Sequence, residues 1–473
     1  MRALNVVSRM SILLYTALLV AGCTTAPKTA DPRTMTFPPL KFDIPQGERA
    51  QLPNGMTVYI MEDRELPLVR ITAYIRAGSI FDPADKVGLA ELAGTVLRSG
   101  GTEATPPEKL NEELEFMASS IESVTRNEVC NVSMTTLTKN LDRTLELFTQ
   151  VVMKPAFRED RFDLARKREL ERIRRQNDDP KEIADRELQK ALYPGHPLGR
   201  EATGETVRKI GRADLAEFHR RFYRPGNIIL AVSGDFTKAE MLERLGKAFA
   251  SWENRPAGFP EVPQPTTDLK PEVLLARKSV SQSVIRMGQL GVDIRNPDLY
   301  ALRVMNYILG GGSSSRLTTE IRANQGLAYD VGSYLDAGRR FVGTFTASTE
   351  TKAESTAKAI ALIREIIAGM TRGPVTDQEL KFARESIVNS FIFSFTSSDA
   401  IVNQQVRLEY YNYPPGYLEN YRDNIARVTK EDVLRVARKY LHPEAMILMV
   451  VGDEKKFDGP LSAFGPLREI KPD

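Results

Sequence analysis

From residue 57 onward the chain alternates between two hydrophobic periods. At 57–61 and 68–77 apolar residues alternate or run together as they do in strands, with the charged turn Asp63-Arg64-Glu65-Leu66-Pro67 between them. Leu141, Leu145, Phe148 and Val152 then mark one face at helical spacing, and Ile360, Ile363, Ile367 and Met370 mark another much later in the chain. The stretch 341–348 alternates again. Strand pairs followed by helices, with no regular β-α-β rhythm, predict an α+β fold in which helices cover one face of an antiparallel sheet.

The pattern is written twice. A single shift of 218 residues sets Ala165-Arg166 on Ala383-Arg384, Asp214 on Asp432, Phe222 on Tyr440, Pro225 on Pro443 and Gly234-Asp235 on Gly452-Asp453. Between the copies, 254–272 carries five prolines and no helical period, and reads as a linker. This predicts two homologous domains, 48–253 and 273–460, with 461–473 as a tail.

The first 22 residues read as a signal peptide: Arg2 and Arg9, then a twelve-residue apolar run at 10–21 that is too short to span a bilayer. It ends in Val20-Ala21-Gly22-Cys23, which resembles a bacterial lipobox and makes Cys23 the expected lipidation site. Thr24, in place of Asp, points to the outer membrane, periplasmic face. Residues 23–47 read as a lipidated flexible tether with five prolines. Without Arg2 and Arg9 the formal charge of +3 falls to +1, so nothing draws the chain to nucleic acid. Three histidines (His196, His219, His442), none close to another, rule out a pair of imidazoles on one helical turn. The other cysteine, Cys130, reads as a half-buried free thiol in a strand.

Several fragments, in order, resemble the insulinase/pitrilysin-like zinc peptidases, including the mitochondrial processing peptidase. They are Leu52-Pro-Asn-Gly-Met-Thr-Val58, Gly78-Ser-Ile-Phe-Asp82, Leu97-Arg-Ser-Gly-Gly-Thr102 and His196-Pro-Leu-Gly199 in the first half. In the second half they are Asn306-Tyr-Ile-Leu-Gly-Gly-Gly312, Ser315-Arg-Leu317 and Arg322 through Gly326-Leu-Ala-Tyr329. The resemblance spans about residues 48–458 and implies two α+β halves forming a clam-shell half-chamber for peptides. It also implies a zinc site, His-x-x-Glu-His on one helix with a distal Glu. Placed after Gly88-Leu89-Ala90, that motif falls on 91–95, where Glu91 replaces the first His, Gly94 the general base and Thr95 the second His. The distal Glu, about 77 positions on, falls on Arg172. A cationic side chain where a cation should sit repels any divalent ion, so no metal is expected in this chain.

The family's second half supplies an Arg and a Tyr seven residues apart that hydrogen-bond the substrate carbonyl as it becomes an oxyanion. Arg322 and Tyr329 match in type, spacing and context. The run Gly310-Gly-Gly-Ser-Ser-Ser315 lacks the lysine of a phosphate loop and reads as a turn between helices. The resemblance therefore implies a non-zinc-binding subunit of a two-chain periplasmic peptidase. A homologous partner would supply zinc and general base, this chain Arg322 and Tyr329, and the substrate would be a peptide or unfolded polypeptide. The other readings are a non-catalytic scaffold or peptide-binding lipoprotein, and a self-sufficient zinc peptidase.

Overall fold

The repeated strand patterns become two six-stranded sheets. The first contains β1 (Glu48–Gln51), β2 (Thr57–Glu62), β3 (Leu68–Ile75), β4 (Ser120–Thr125), β5 (Cys130–Leu137) and β6 (Ile228–Gly234), in the order β1-β2-β6-β3-β5-β4. The second contains β7 (Val273–Arg277), β8 (Gln282–Leu290), β9 (Ala328–Asp336), β10 (Thr344–Lys352), β11 (Ile447–Gly452) and β12 (Leu467–Glu469), in the order β12-β7-β11-β8-β10-β9. This computed structural model describes residues 42–471 except Ala257. The leader, Cys23 and the tether up to residue 41 lie outside the described residues.

The sheets are mixed, which corrects the antiparallel expectation. β6 enters between β2 and β3 and runs parallel to β2, as β11 runs parallel to β7 and β7 to β12. A parallel pair needs a long crossover, and β6 returns only after all but the last helix of its half. The turn at 63–67 therefore joins strands that are not neighbours. The repeated Gly-Asp pair closes these inserted strands. Gly234 has φ 136°, and a Cβ there would lie 2.0 Å from the Leu68 carbonyl oxygen. The repeated aspartates Asp214 and Asp432 accept the backbone N–H of Gly211 and Thr429 at a helix start; with Thr429 this closes a capping box, whereas Gly211 has no side chain to return the bond.

On one face of the first sheet lie α1 (Leu89–Ser99) and α2 (Leu141–Met153), with α3 (Glu159–Arg175) packed behind α1. Leu97, Phe148 and Val152 share their core with Ile71, Val132 and Leu230. In the second half α5 (Thr356–Arg372) buries Ile360, Ile363, Ile367 and Met370, the face that the sequence marks.

The other face of each sheet is covered by the opposite half. α4 (Pro180–Leu192), from the first half, lays Ile183, Leu188 and Leu192 against Leu274, Val284 and Met449 of the second sheet. α6 (Ser398–Tyr410), from the second half, lays Val402 and Val406 against Tyr74 and Ala231 of the first. The 218-residue shift carries α4 onto α6, so the exchange is reciprocal. Polar bonds fix it: Arg286 to Asp185 at 2.6 Å, the Tyr74 hydroxyl to Asn403 at 3.0 Å and the Ser398 hydroxyl to Asp63 at 2.7 Å. Each fully buried aliphatic side chain contributes roughly 1.5–3 kcal/mol, so a few such residues outweigh these bonds. Two-sided burial is why β11 is apolar at every position from Ile447 to Val451.

Two further expectations change. Cys130 is wholly buried, because β5 lies inside the sheet. Within the expected tail, Leu461 is buried and β12 extends the second sheet. The strand expected from residue 341 begins at Thr344, and Phe341 sits in the preceding hairpin tip with its ring 4.8 Å from that of His196.

Candidate functional site

The frame of a zinc helix is present in α1. The Asp82 carboxylate accepts the N–H groups of Gly88 and Ala90, each at 2.9 Å, and Gly88 turns into the helix with φ 105°. Burial raises the Asp82 carboxyl to about 7 against these two bonds, with the nearby Glu91 charge adding to the rise. Leu92, Ala93, Val96 and Leu97 face the core, which leaves Glu91 and Thr95, one turn apart, on the exposed side. Two imidazoles at these positions would share a face.

Gly94 is the position that the resemblance assigns to the general base, and a side chain there has no room. A Cβ there would lie 2.1 Å from Thr125 Oγ1 on edge strand β4, 3.3 Å from Thr125 Cβ and 3.5 Å from Ser123 Oγ. Thr125 Oγ1 is itself buried without a hydrogen-bond partner. α1 therefore rests on β4 through a glycine contact, and a glutamate cannot be accommodated unless Thr125 yields.

Arg172, which the resemblance sets at the third-ligand position, lies on α3 and is paired with Glu169 in bidentate fashion at 2.9 and 2.6 Å. That pairing holds the guanidinium even more firmly protonated than usual. Desolvation, followed by the Glu169 charge, pushes the Glu91 carboxyl above its ordinary range, Arg172 opposes this and Glu201 adds to it. The sequence reading missed Glu169, Glu201 and Thr125. Glu169 was within reach, since it stands one helical turn before Arg172; Glu201 and Thr125 arrive from other segments and left no spacing signal. A zinc ion does not fit here: Gly94 and Thr95 offer no ligand of the required type, and Arg172 brings positive charge. Among the described residues no group of three His, Cys, Asp or Glu side chains is placed to hold a metal ion.

In the second half Arg322 and Tyr329 come together. Arg322 lies in Thr318–Asn324, which is wound as a π-helix, and Tyr329 is the second residue of β9. The Arg322 guanidinium stands 4.8 Å from the centre of the Tyr329 ring. Both are exposed, Tyr329 at 84%. β9 ends its sheet, so its outer edge has no strand partner among the described residues. No hydrogen bond or ion pair links the pair to Glu91, Gly94, Thr95 or Arg172. The glycine run lies beside it: Gly310 is within the π-turn Tyr307–Gly311, and a Cβ there would meet Ser333 N of β9 at 2.3 Å.

Comparison with known proteins agrees with this frame. The profile for insulinase (peptidase family M16) matches residues 57–206, and that for the peptidase M16 inactive domain matches 209–387. An uncharacterized zinc protease of Mycobacterium leprae is 26% identical over 83% of this chain and 89% of its own length. A Helicobacter pylori protein named a non-peptidase homolog is 23% identical over 84% and 91%. The crystal structure of a peptidase M16 inactive domain from Pseudomonas fluorescens superimposes with a TM-score of 0.78 and 27% identity, over 86% of this chain and 98% of that one. The chain belongs to the insulinase family, peptidase family M16. Within it, the chain is an inactive-type peptidase homologue.

Proposed function

We propose that the chain is the non-zinc-binding subunit of a two-chain metallopeptidase of the bacterial cell envelope. A homologous partner bearing His-x-x-Glu-His would hold the zinc and the general base, and this chain would stabilise the tetrahedral oxyanion through Arg322 and Tyr329. The observation that carries the reading is the contrast between the two halves. The zinc positions are blocked by Thr125 and by the Arg172–Glu169 pair, whereas Arg322 and Tyr329 are stacked, exposed and beside an unpaired strand edge. An extended peptide could add to that edge through main-chain hydrogen bonds.

Donors of this kind act on charge that develops in the transition state, and removing one costs roughly a hundredfold or more in rate. Purification from native membranes in mild detergent should yield a stoichiometric partner carrying the zinc motif. In that complex Tyr329→Phe should lower kcat about a hundredfold with little change in KM. Unchanged turnover in a verified complex refutes the catalytic role.

The second reading is a peptide-binding lipoprotein without chemistry. It is favoured by one observation: β4, like β9, ends its sheet with no strand partner among the described residues, so peptide could be held at either edge. Absence of any zinc-bearing partner, together with peptide binding by the chain alone, would select it. In both readings the chain is anchored through a lipid on Cys23, in the outer membrane facing the periplasm. Cys23→Ser should release it into the soluble fraction, and mass spectrometry of the N-terminal peptide should show the diacylglyceryl thioether.

A further inference from the structure

Two hairpin tips meet where the halves join. The tip between β4 and β5 contributes Arg126 and Glu128, and the tip between β9 and β10 contributes Arg339 and Arg340. Glu128 and Arg340 form an ion pair at 3.2 Å across the join. Tyr193 and Tyr411, which immediately follow the exchanged helices α4 and α6, are related by the same 218-residue shift, and both line the space between the tips. The Tyr193 hydroxyl donates to the Val342 carbonyl at 2.8 Å, and that of Tyr410 donates to the Glu128 carbonyl at 2.6 Å. These bonds border a half-open cavity of about 320 Å³ between the two tips. That is the lower end of the range for small-molecule sites, roughly 300–1,000 Å³.

The charges on its wall are not all neutralised. Arg340 is used on Glu128, but the guanidinium groups of Arg126 and Arg339 find no hydrogen-bond acceptor or ion-pair partner among the described residues. Arg339 lies over the Tyr411 ring at 5.2 Å, which holds its plane without satisfying its donors. Asp336, on the same wall, has no ion pair or side-chain hydrogen bond either, although Arg339 is only three residues away. Two free guanidinium forks suit a carboxylate, and a free carboxylate suits an ammonium group. The carboxylates of Asp336 and Glu128 would repel a bare polyanion such as phosphate.

We propose that this seam cavity binds a small zwitterion with a free α-ammonium and a free α-carboxylate, an amino acid or dipeptide. Its carboxylate would lie on Arg126 and Arg339 and its ammonium on Asp336, with the Tyr193 and Tyr411 rings bounding the side chains. The site lies within this chain and does not depend on the two-subunit reading.

The test is calorimetric titration of the mature chain alone with dialanine, N-acetyl-dialanine, dialanine amide and inorganic phosphate. Expected is 1:1 binding of dialanine, weakened at least tenfold by blocking either end. Arg339→Gln should weaken it by a similar factor while removing the advantage of the free carboxylate, and Asp336→Asn should remove that of the free ammonium. Both variants should keep the wild-type circular dichroism. Failure of dialanine to bind, equal binding of the blocked forms, or tighter binding of phosphate would each overturn the proposal. The blocked ligands need no variant, so the proposal stays open to refutation even if a substitution unfolds the chain.

Discussion

Gly94 is the point where the loss of chemistry and the packing of the fold meet, and its substitution has a sign that can be worked out beforehand. In a helix interior Gly→Ala ordinarily stabilises by about 1 kcal/mol. Here the added methyl would lie 2.1 Å from Thr125 Oγ1, on a short β-branched side chain held by its strand rather than at the end of a flexible one. Overpacking of this kind costs about 1–3 kcal/mol, and so short an approach belongs at the upper end. Gly94→Ala should therefore destabilise the chain by about 2 kcal/mol net. Thr125→Ala removes a buried hydroxyl that has no partner, so alone it should be close to neutral. In the Thr125→Ala background the nearest remaining atoms are the residue-125 Cβ at 3.3 Å and Ser123 Oγ at 3.5 Å, a contact that small shifts relieve. There Gly94→Ala should approach its ordinary gain of about 1 kcal/mol. The cycle thus predicts a reversal of sign, with a coupling energy of about 3 kcal/mol, large even for residues in contact. Urea denaturation of the four proteins, followed by far-ultraviolet circular dichroism, reads it directly. Equal effects of Gly94→Ala in both backgrounds, or stabilisation of the otherwise native chain, would refute the argument that Thr125 occupies the place of the general base.

Other consequences can be checked with the same protein. The variant combining Glu91→His, Thr95→His and Arg172→Glu should take up zinc, measured by elemental analysis, since positions 91 and 95 share an exposed face; it should nevertheless hydrolyse no peptide, and hydrolysis by this triple variant would contradict the blocked-base reading. His219, half-buried, donates to the Val152 carbonyl, and desolvation lowers its pKa from 6.5 to about 4. Between those values the unfolded chain binds a proton that the native one does not, so stability falls as pH drops, by about 3 kcal/mol in all. In His219→Gln, which keeps a donor for Val152, that part of the acid dependence should vanish, and urea midpoints at pH 7 and pH 4 compare the two proteins with other titrations cancelling. Leu188→Ala in α4 should cost about 2–5 kcal/mol and lower the stability of both halves together. The sole tryptophan, Trp252, packs at 6.0 Å on Phe249 in the first half, so its fluorescence and the circular dichroism should change in one transition; separate transitions would refute a single folding unit.

What the sequence disclosed and what it concealed follow from the range of the interactions. Periodicity along the chain located the faces of α2 and α5, because each face repeats every three or four residues whatever it packs against. The duplication was legible through residues with local duties: Asp214 and Asp432 cap helices, and Gly234 permits a backbone approach. Neither signal says which sheet an amphipathic helix covers, so the crossing of α4 and α6 was not visible, although the same shift that revealed the repeat relates them. The insertion of β6 between β2 and β3 was hidden for the same reason, since strand order is a long-range property. At the site, the departures at 91, 94, 95 and 172 are assigned by the family resemblance, from spacing on one helix and a distal landmark. Thr125 was not legible, because the glycine that betrays it sits 31 positions earlier in the chain, on another element.

The reciprocal helices also explain why the first half persists intact without its chemistry. If each domain were covered only by its own helices, a half that held no metal could be whittled down with little consequence for the other. Here α4 supplies Ile183, Leu188 and Leu192 to one face of the second sheet, the sheet whose edge strand carries Tyr329. Removing or loosening the first half would expose Leu274, Val284 and Met449 and leave the central strand β11 buried on one side only. At roughly 1.5–3 kcal/mol for each large aliphatic residue uncovered, a handful would exceed the whole net stability of a typical domain, about 5–15 kcal/mol. The first half is thus required as a wall for the second, whatever occupies position 94. A chain truncated at residue 253, which keeps the first sheet but loses α6, should by the same argument fail to fold. Recovery of a soluble, cooperatively melting fragment from that truncation would show that the exchange is decoration rather than structure.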